Sequence, residues 1–332
     1  MEKLENTIFF KPRYVELTSF IPINDEEIDK MDEWEVDETI LLRDYEAEIK
    51  EFKGDVSEVI PIIAVDASSC RIGETENGVL AAYRAAMVIH SDESKVEKVG
   101  PYILHITEEN KLGIYNYFRR LLGLSSVNER RVPRISKLVD RIRNAIERIM
   151  QKIAASTIKD GIVLWDGSLT GGTVDTPKEV IERNIKTAFY SGNSVIGISK
   201  RSWLRTISGK RLINLLEDYY KACYIDIHNY IASRDLSRYL GRILVVKFSP
   251  YGFTFRVDVA PKPGLEPSHV LELLFTNCEM YNGYPNPLRQ AHMESYLTAN
   301  EVLALQAYII QKYNLKVLKP LDIRKFILGP YG

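Results

Sequence analysis

The chain has 332 residues, 45% of them hydrophobic and 27% charged, and a formal net charge of −1. That length suits one elaborate domain or two, and that composition excludes a disordered chain. No apolar run approaches the roughly 18–20 residues of a membrane span, and the N-terminal MEKLENTIFF lacks the basic flank and apolar core of a signal peptide. Cys70, Cys223 and Cys278 are scattered with no CxxC pair, which suggests neither a disulfide framework nor a zinc site and points to a reducing, cytoplasmic setting.

The near-zero total hides an asymmetry. Residues 25–58 carry 15 Asp/Glu against 4 Lys/Arg, whereas residues 119–152 carry 10 Lys/Arg against 3 acids. The stretch SKRSWLRTISGKR at 199–211 adds five bases and no acid. A polyanion needs only a local positive surface, because charge is screened beyond roughly 10 Å. The two basic segments therefore read either as phosphate-tracking surfaces or as ordinary solvated faces.

In chain order, the acidic segment looks helical in its second half and ends at Gly54, so residues 1–58 are set apart from a domain at 59–332. A strand at 60–66 ends on Asp66, a second strand fits 78–90, a third fits 100–107, and 111–123 looks helical. The clearest helix is 135–155, where Ile135, Leu138, Val139, Ile142, Ile146, Ile149 and Ile153 form one apolar stripe. A buried strand then ends at Asp166, and Thr176 with Pro177 starts the next helix. NSVIGISK is another buried strand, two β-rich pieces follow at 242–247 and 252–259, and helices are expected at 266–275 and, as one long rod, at 287–313. Three antiparallel strands followed by alternating helix and parallel strand is a ribonuclease H-like α/β order, with helical additions at both ends. A doubly wound sheet is the alternative.

Two apolar runs, IPIIAVDASS and IVLWDGS, stop on an aspartate. Strand ends at the opening of an α/β sheet are the usual place for chemistry. If the strands are neighbours, Asp66 and Asp166 repel unless a cation sits between them, and hard ions such as Mn²⁺ or Mg²⁺ prefer that donor set. The competing reading of Asp-Gly-Ser is a turn or helix cap. A third carboxylate is normally wanted. Glu147 flanks the apolar stripe and either leans over the sheet rim or pairs with Arg143 one turn earlier; Asp140 and Asp258 are alternatives, the latter because it alternates with apolar Val257 and Val259 and so would face the crevice. In GYPNPLRQAHMESYL the prolines end regular structure, a helix begins near Pro287, and His292 falls in its first turns with Tyr284 just before. Such a histidine binds a metal or phosphate, acts as acid or base, or is simply a hydrogen-bonded structural residue.

The ordered trio VDASS, WDGSL and YPNPLRQAH resembles the NurA nucleases, over about residues 60–300. The resemblance implies a ribonuclease H-like core and a ring-shaped homodimer. It implies manganese-dependent 5′ to 3′ exonuclease activity, with endonuclease action on single-stranded DNA. It also implies partnership with the hexameric HerA translocase in archaeal DNA end resection for recombinational repair, and hence a place near the nucleoid. Carried over by motif, Asp66 and Asp166 would be metal ligands, with Asp66 shared between two Mn²⁺ ions (Mg²⁺ being the alternative), and Tyr284 and His292 would belong to the same catalytic site. Glu147 matches only by its position before the Asp166 strand. The first motif has Ala67 where many relatives have glycine, which narrows the backbone but leaves the carboxylate in place.

Lys200, closing the IGIS strand, is placed to offset phosphate charge or is a solvated strand end. Arg134, Arg141, Arg143 and Arg148 on the basic helix, with Lys200, Arg201, Arg205, Lys210 and Arg211, would track the DNA backbone. The tail KPLDIRKFILGPYG ends in an apolar, aromatic stretch, residues 326–332, that would dock against HerA or the dimer mate. Two rivals stand beside the nuclease: an actin-like or sugar-kinase-like ATPase using DGSLTGGT as a phosphate loop, and a non-catalytic DNA clamp. VDASSC lacks the glycine that close phosphate approach wants, and the clamp leaves the paired aspartates without a role.

Overall fold

The computed structural model describes residues 48–317 apart from 92–93, 175–176, 201, 203, 207–208, 210 and 232–235, together with the backbone of 19–22 and 41–42. Its frame is a mixed sheet. We label the principal elements β1 (Ile62–Thr75), β2 (Gly78–His90), β3 (Lys95–Thr107), α1 (Lys111–Leu121), α2 (Ile135–Thr157), β4 (Ile162–Asp166), α3 (Lys178–Tyr190), β5 (Ser194–Ser199), β6 (Cys223–Asp226), β7 (Arg242–Lys247), β8 (Thr254–Ala260), α4 (Pro267–Asn277), α5 (Asn286–Ser295) and α6 (Ala299–Tyr313).

The central strand order is β3-β2-β1-β4-β5-β8-β7-β6. β1, β2 and β3 form an antiparallel meander, β4 joins β1 in parallel, and β5 joins β4 in parallel. That is the ribonuclease H-like arrangement expected. β4 and β5 are apolar along nearly their whole length because helices cover both faces, as parallel strands require. Side-chain alternation divides the core. Ile63 and Val65 of β1 with Val163 and Trp165 of β4 meet the α2 stripe on one face, and Ile62, Ala64, Ile162 and Leu164 meet α4 and α5 on the other.

Several expectations need correction. The first strand does not stop at Asp66: it continues to Thr75, paired with β2 throughout, and a register irregularity falls between Arg71 and Gly73. What ends there is its neighbour β4. Ser19–Pro22 pairs with Glu74 and Gly73 beyond the gap. The helix expected to reach Gly54 is not present in residues 48–61. Lys50–Glu51 is instead an edge strand on β6, Phe52 stacks on Phe275 at 4.4 Å, and Glu272 accepts the Lys53 and Gly54 amides. The third strand starts earlier, at Lys95, and β6 was not anticipated. Pro177 is the N-cap of α3 and not its first residue, while Thr176 lies outside the described residues. Residues 1–18, 23–40 and 43–47 and the 326–332 tail lie outside them too.

The rod expected at 287–313 is two helices. α5 stops at Ser295, and Thr298 caps α6: its Oγ1 accepts the Glu301 amide at 3.3 Å while Glu301 Oε2 accepts the Thr298 amide at 2.9 Å. This is a capping box. Arg84 donates to the same Glu301 and, with the cap, holds its carboxyl down at about 2. Thr298→Ala is expected to cost about 1 kcal/mol, lowering the melting temperature by roughly 2 °C. Thr298→Ser, which keeps the acceptor, should melt like the wild type.

Candidate metal centre

The parallel register of β1 and β4 runs Ile62↔Ile162 to Val65↔Trp165. The next residues on the two strands are Asp66 and Asp166, in the phase of Ile62, Ala64, Ile162 and Leu164. Adjacent strands lie about 4.8 Å apart, so register and alternation alone set the two carboxylates side by side on one face. β4 ends at Asp166, and Gly167 turns the chain away with φ of +108°, which suits glycine alone. Gly197 on β5 lets that turn lie close, since a Cβ there would come within 2.6 Å of the Gly167 carbonyl.

α5 packs across β1 and β2 over the stretch that β4 leaves open. It brings His292 Nδ1 to 2.8 Å from Asp66 Oδ2, and Ser295 Oγ donates to the same oxygen at 3.0 Å. A carboxylate only accepts, so Nδ1 is the donor. That bond raises the imidazole's affinity for a proton, and partial burial opposes it. From β5, Lys200 Nζ donates to Asp166 Oδ2 at 2.6 Å and stands 5.2 Å over the Tyr284 ring. The Tyr284 hydroxyl is buried beside the Asp166 carboxylate. Burial pushes its ionisation well up, and Asp166 and Asp66 push the same way.

Asp66, Asp166 and His292 each offer a ligand atom, and these atoms lie within 4.8 Å of one another. Two carboxylate oxygens and one imidazole nitrogen suit a hard or borderline divalent ion. Glu147 is not one of the three. It is buried on α2 and accepts from Gln151 Nε2 at 3.0 Å. Burial pushes its carboxyl up to about 7. Arg148 opposes this, and the charges of Asp66 and Asp166 reinforce it. Negative charge is thus concentrated on one spot from three elements, which is what a bound cation would relieve.

The alternatives for the third carboxylate separate cleanly. Asp140 is exposed. Asp258 is tied into a buried two-bond pair with Arg256 (2.7 and 2.8 Å) and accepts the Leu169 amide at 2.9 Å. It does not face the crevice as its alternation suggested; it braces the loop that follows Asp166. Arg148, expected on a DNA face, is buried and donates to Gln151 Oε1 at 2.8 Å. Arg134 and Arg211 are exposed, Arg141 and Arg143 are half-buried on α2, and Arg205 donates to the Gly209 carbonyl at 3.1 Å. Arg201 and Lys210 lie outside the described residues. Ser295 is the site residue that sequence reasoning passed over; its position one helical turn after His292 was the available signal.

A ribonuclease H-like sheet with two aspartates side by side on adjacent central strands, met by a histidine from the helix packed across them, defines a class: α/β proteins able to hold a divalent cation in an open crevice. The NurA domain's sequence model matches residues 61–295, so the chain belongs to the NurA family, which places it among DNA nucleases. No curated protein matches the chain. Among solved structures it is similar to the NurA nuclease from Sulfolobus solfataricus, at 16% identity over 80% of this chain and 88% of that one, with a TM-score of 0.48. A further NurA crystal structure gives 11% identity, 84% and 92% coverage and 0.47. Ciona intestinalis endonuclease V in complex with a 24mer DNA gives 14%, 77% and 92%, and 0.38.

Proposed function

We propose that the chain is a divalent-metal DNA nuclease whose site is held by Asp66, Asp166 and His292. The observation that carries this reading is the convergence of those three side chains from β1, β4 and α5, with Lys200 reaching over them. Mn²⁺ is the proposed ion, with Mg²⁺ as its substitute, and Glu147 supplies the further carboxylate that a second ion requires. Bound there, such ions polarise a phosphodiester and make water nucleophilic near neutral pH.

The chain's own residues do the rest. Ser295 Oγ and His292 Nδ1 both donate to Asp66 Oδ2, which ties the carboxylate and the imidazole together and preorganises the donor set. Lys200, held by Asp166, sets a positive charge where a scissile phosphate would lie. Tyr284, its hydroxyl buried beside Asp166, orients that phosphate. Arg134, Arg141, Arg143, Arg205 and Arg211 follow the DNA backbone, with Arg201 and Lys210 assigned the same role from sequence. Binding of this kind is salt-dependent and indifferent to sequence.

Family membership supports the finer assignments: 5′ to 3′ exonuclease activity, endonuclease action on single strands, a homodimer, a HerA-type hexameric partner, and a cytoplasmic, nucleoid-associated role in end resection. Among the described residues no helix is long and apolar enough to cross a membrane. The nuclease domain is taken as residues 59–332. The acidic segment 1–58, whose Lys50–Gly54 pack on that domain, would repel DNA by its charge.

The test is digestion of 5′- and 3′-labelled DNA in Mn²⁺, Mg²⁺ and EDTA. Mononucleotides released first from the 5′ label, nicks in circular single strands, and silence in EDTA are the expected results. Cutting that survives EDTA overturns the metal site. ATP hydrolysis without DNA cleavage favours the ATPase.

A further inference from the structure

A cleft of about 690 Å³ opens on the metal centre, since Lys200 and Tyr284 line it, and around it stand Tyr220, Tyr251, Phe253 and Tyr281. These four rings are 70%, 92%, 68% and 54% exposed. Large aromatic side chains gathered at that exposure around one concavity are not core, and a cluster of this kind marks a binding surface.

The rings are held on a fixed backbone. The loop before β8 docks on the turn at 281–284, where the Phe253 amide donates to the Asn282 carbonyl at 3.1 Å. Gly252 permits that approach, because a Cβ there would meet Ser249 Oγ at 2.4 Å and the Asn282 carbonyl at 2.8 Å. Two rings are backed by cations. Arg289 lies 4.2 Å from the Tyr281 centroid. Lys247 lies 6.0 Å from that of Tyr220, and its ammonium is itself fixed by the Tyr219 carbonyl at 2.8 Å. Glu217 is the acid in the lining.

Aromatic faces next to cations, continuous with a phosphate-handling centre, match the chemistry of an unpaired polynucleotide. Each base offers a π-face for stacking, while a duplex keeps those faces against its own neighbours. We infer that this cleft is a stacking site for unpaired bases of the DNA strand whose backbone reaches the metal centre, with Tyr251 and Phe253 as its principal platform. The inference rests on the nuclease reading above. It implies that a duplex end gives up its terminal pairs before its strand enters.

The probe is an oligothymidylate carrying one 2-aminopurine, bound in EDTA so that nothing is cut, beside a blunt hairpin duplex. Wild-type protein should quench the aminopurine. Tyr251→Ala and Phe253→Ala should each weaken single-strand binding about 10-fold, and together roughly 100-fold, with the quench lost and duplex binding changed less than about 3-fold. Phe253→Trp should keep both affinity and quench. Equal losses on both substrates, or no quench by the wild type, overturn the stacking site. So does a change of sedimentation coefficient in the variants, which would assign the rings to an interface between copies. The two readings fail separately: a protein that quenches but cuts no DNA in Mn²⁺ loses the nuclease assignment and keeps the cleft, and one that cuts without quenching does the reverse.

Discussion

Asp66→Asn is expected to lower DNA cleavage in Mn²⁺ by at least ~10³-fold, the rate equivalent of about 4 kcal/mol. The substitution keeps shape and an acceptor oxygen for Ser295 and His292, and Asp66 lies within a strand paired along its length to β2. The loss would therefore be one of charge and not of fold. A second readout makes this specific. At metal 100-fold above its dissociation constant, a ligand that binds only the folded state adds about 2.7 kcal/mol, roughly 5 °C in melting temperature for a chain of this size. Mn²⁺ should raise the wild-type melting point by that order and leave the variant unmoved. Without metal the variant should melt no lower than the wild type, because neutralising one carboxylate relieves the crowding that helps push Glu147 up to about 7. A variant that still cuts, or one that keeps the Mn²⁺ stabilisation, would remove Asp66 from the centre.

The centre was legible in the sequence where local pattern and fold agree. β4 is an uninterrupted apolar run, the α2 stripe has clean helical spacing, and the ribonuclease H-like order puts the first and fourth strands side by side. Three features escaped, each for a physical reason. After Asp66 the apolar residues thin out to Ala67, Cys70 and Ile72 among Ser68, Ser69 and Arg71, so the strand's continuation reads as a turn although β2 pairs with it. The break between α5 and α6 sits in Tyr296-Leu297-Thr298, which contains neither glycine nor proline, and only the T-x-x-E of the capping box betrays it. The aromatic cleft draws on residues from 200 to 284. No spacing rule links rings brought together by separate loops, so nothing short of coordinates reveals it.

The alternation that made Asp258 look like a crevice residue applies equally to Arg256, two positions earlier on the same face of β8. The pair is 8% and 1% exposed, and Arg256 also donates to Thr170 Oγ1 at 2.8 Å. Removing one partner of a buried ion pair leaves an uncompensated charge, which costs about 3–5 kcal/mol. Arg256→Met should therefore lower the melting temperature by roughly 10 °C. Removing both charges need not be so costly. The double variant Arg256→Met/Asp258→Leu should recover most of that loss, short by the ~1–3 kcal/mol of a buried Leu169 amide left without its acceptor. Activity should not recover in parallel. Asp258 holds Leu169, three residues after Asp166, and loosening that loop lets the Asp166 carboxylate drift. Displacements near 1 Å can cost as much as 10²-fold in rate, and we expect about 10-fold lower cleavage with Mn²⁺ saturation shifted to higher concentration. A double variant as unstable as the single one would show that the pair contributes through packing and not through charge. One with wild-type cleavage would show that the loop keeps its place without Asp258.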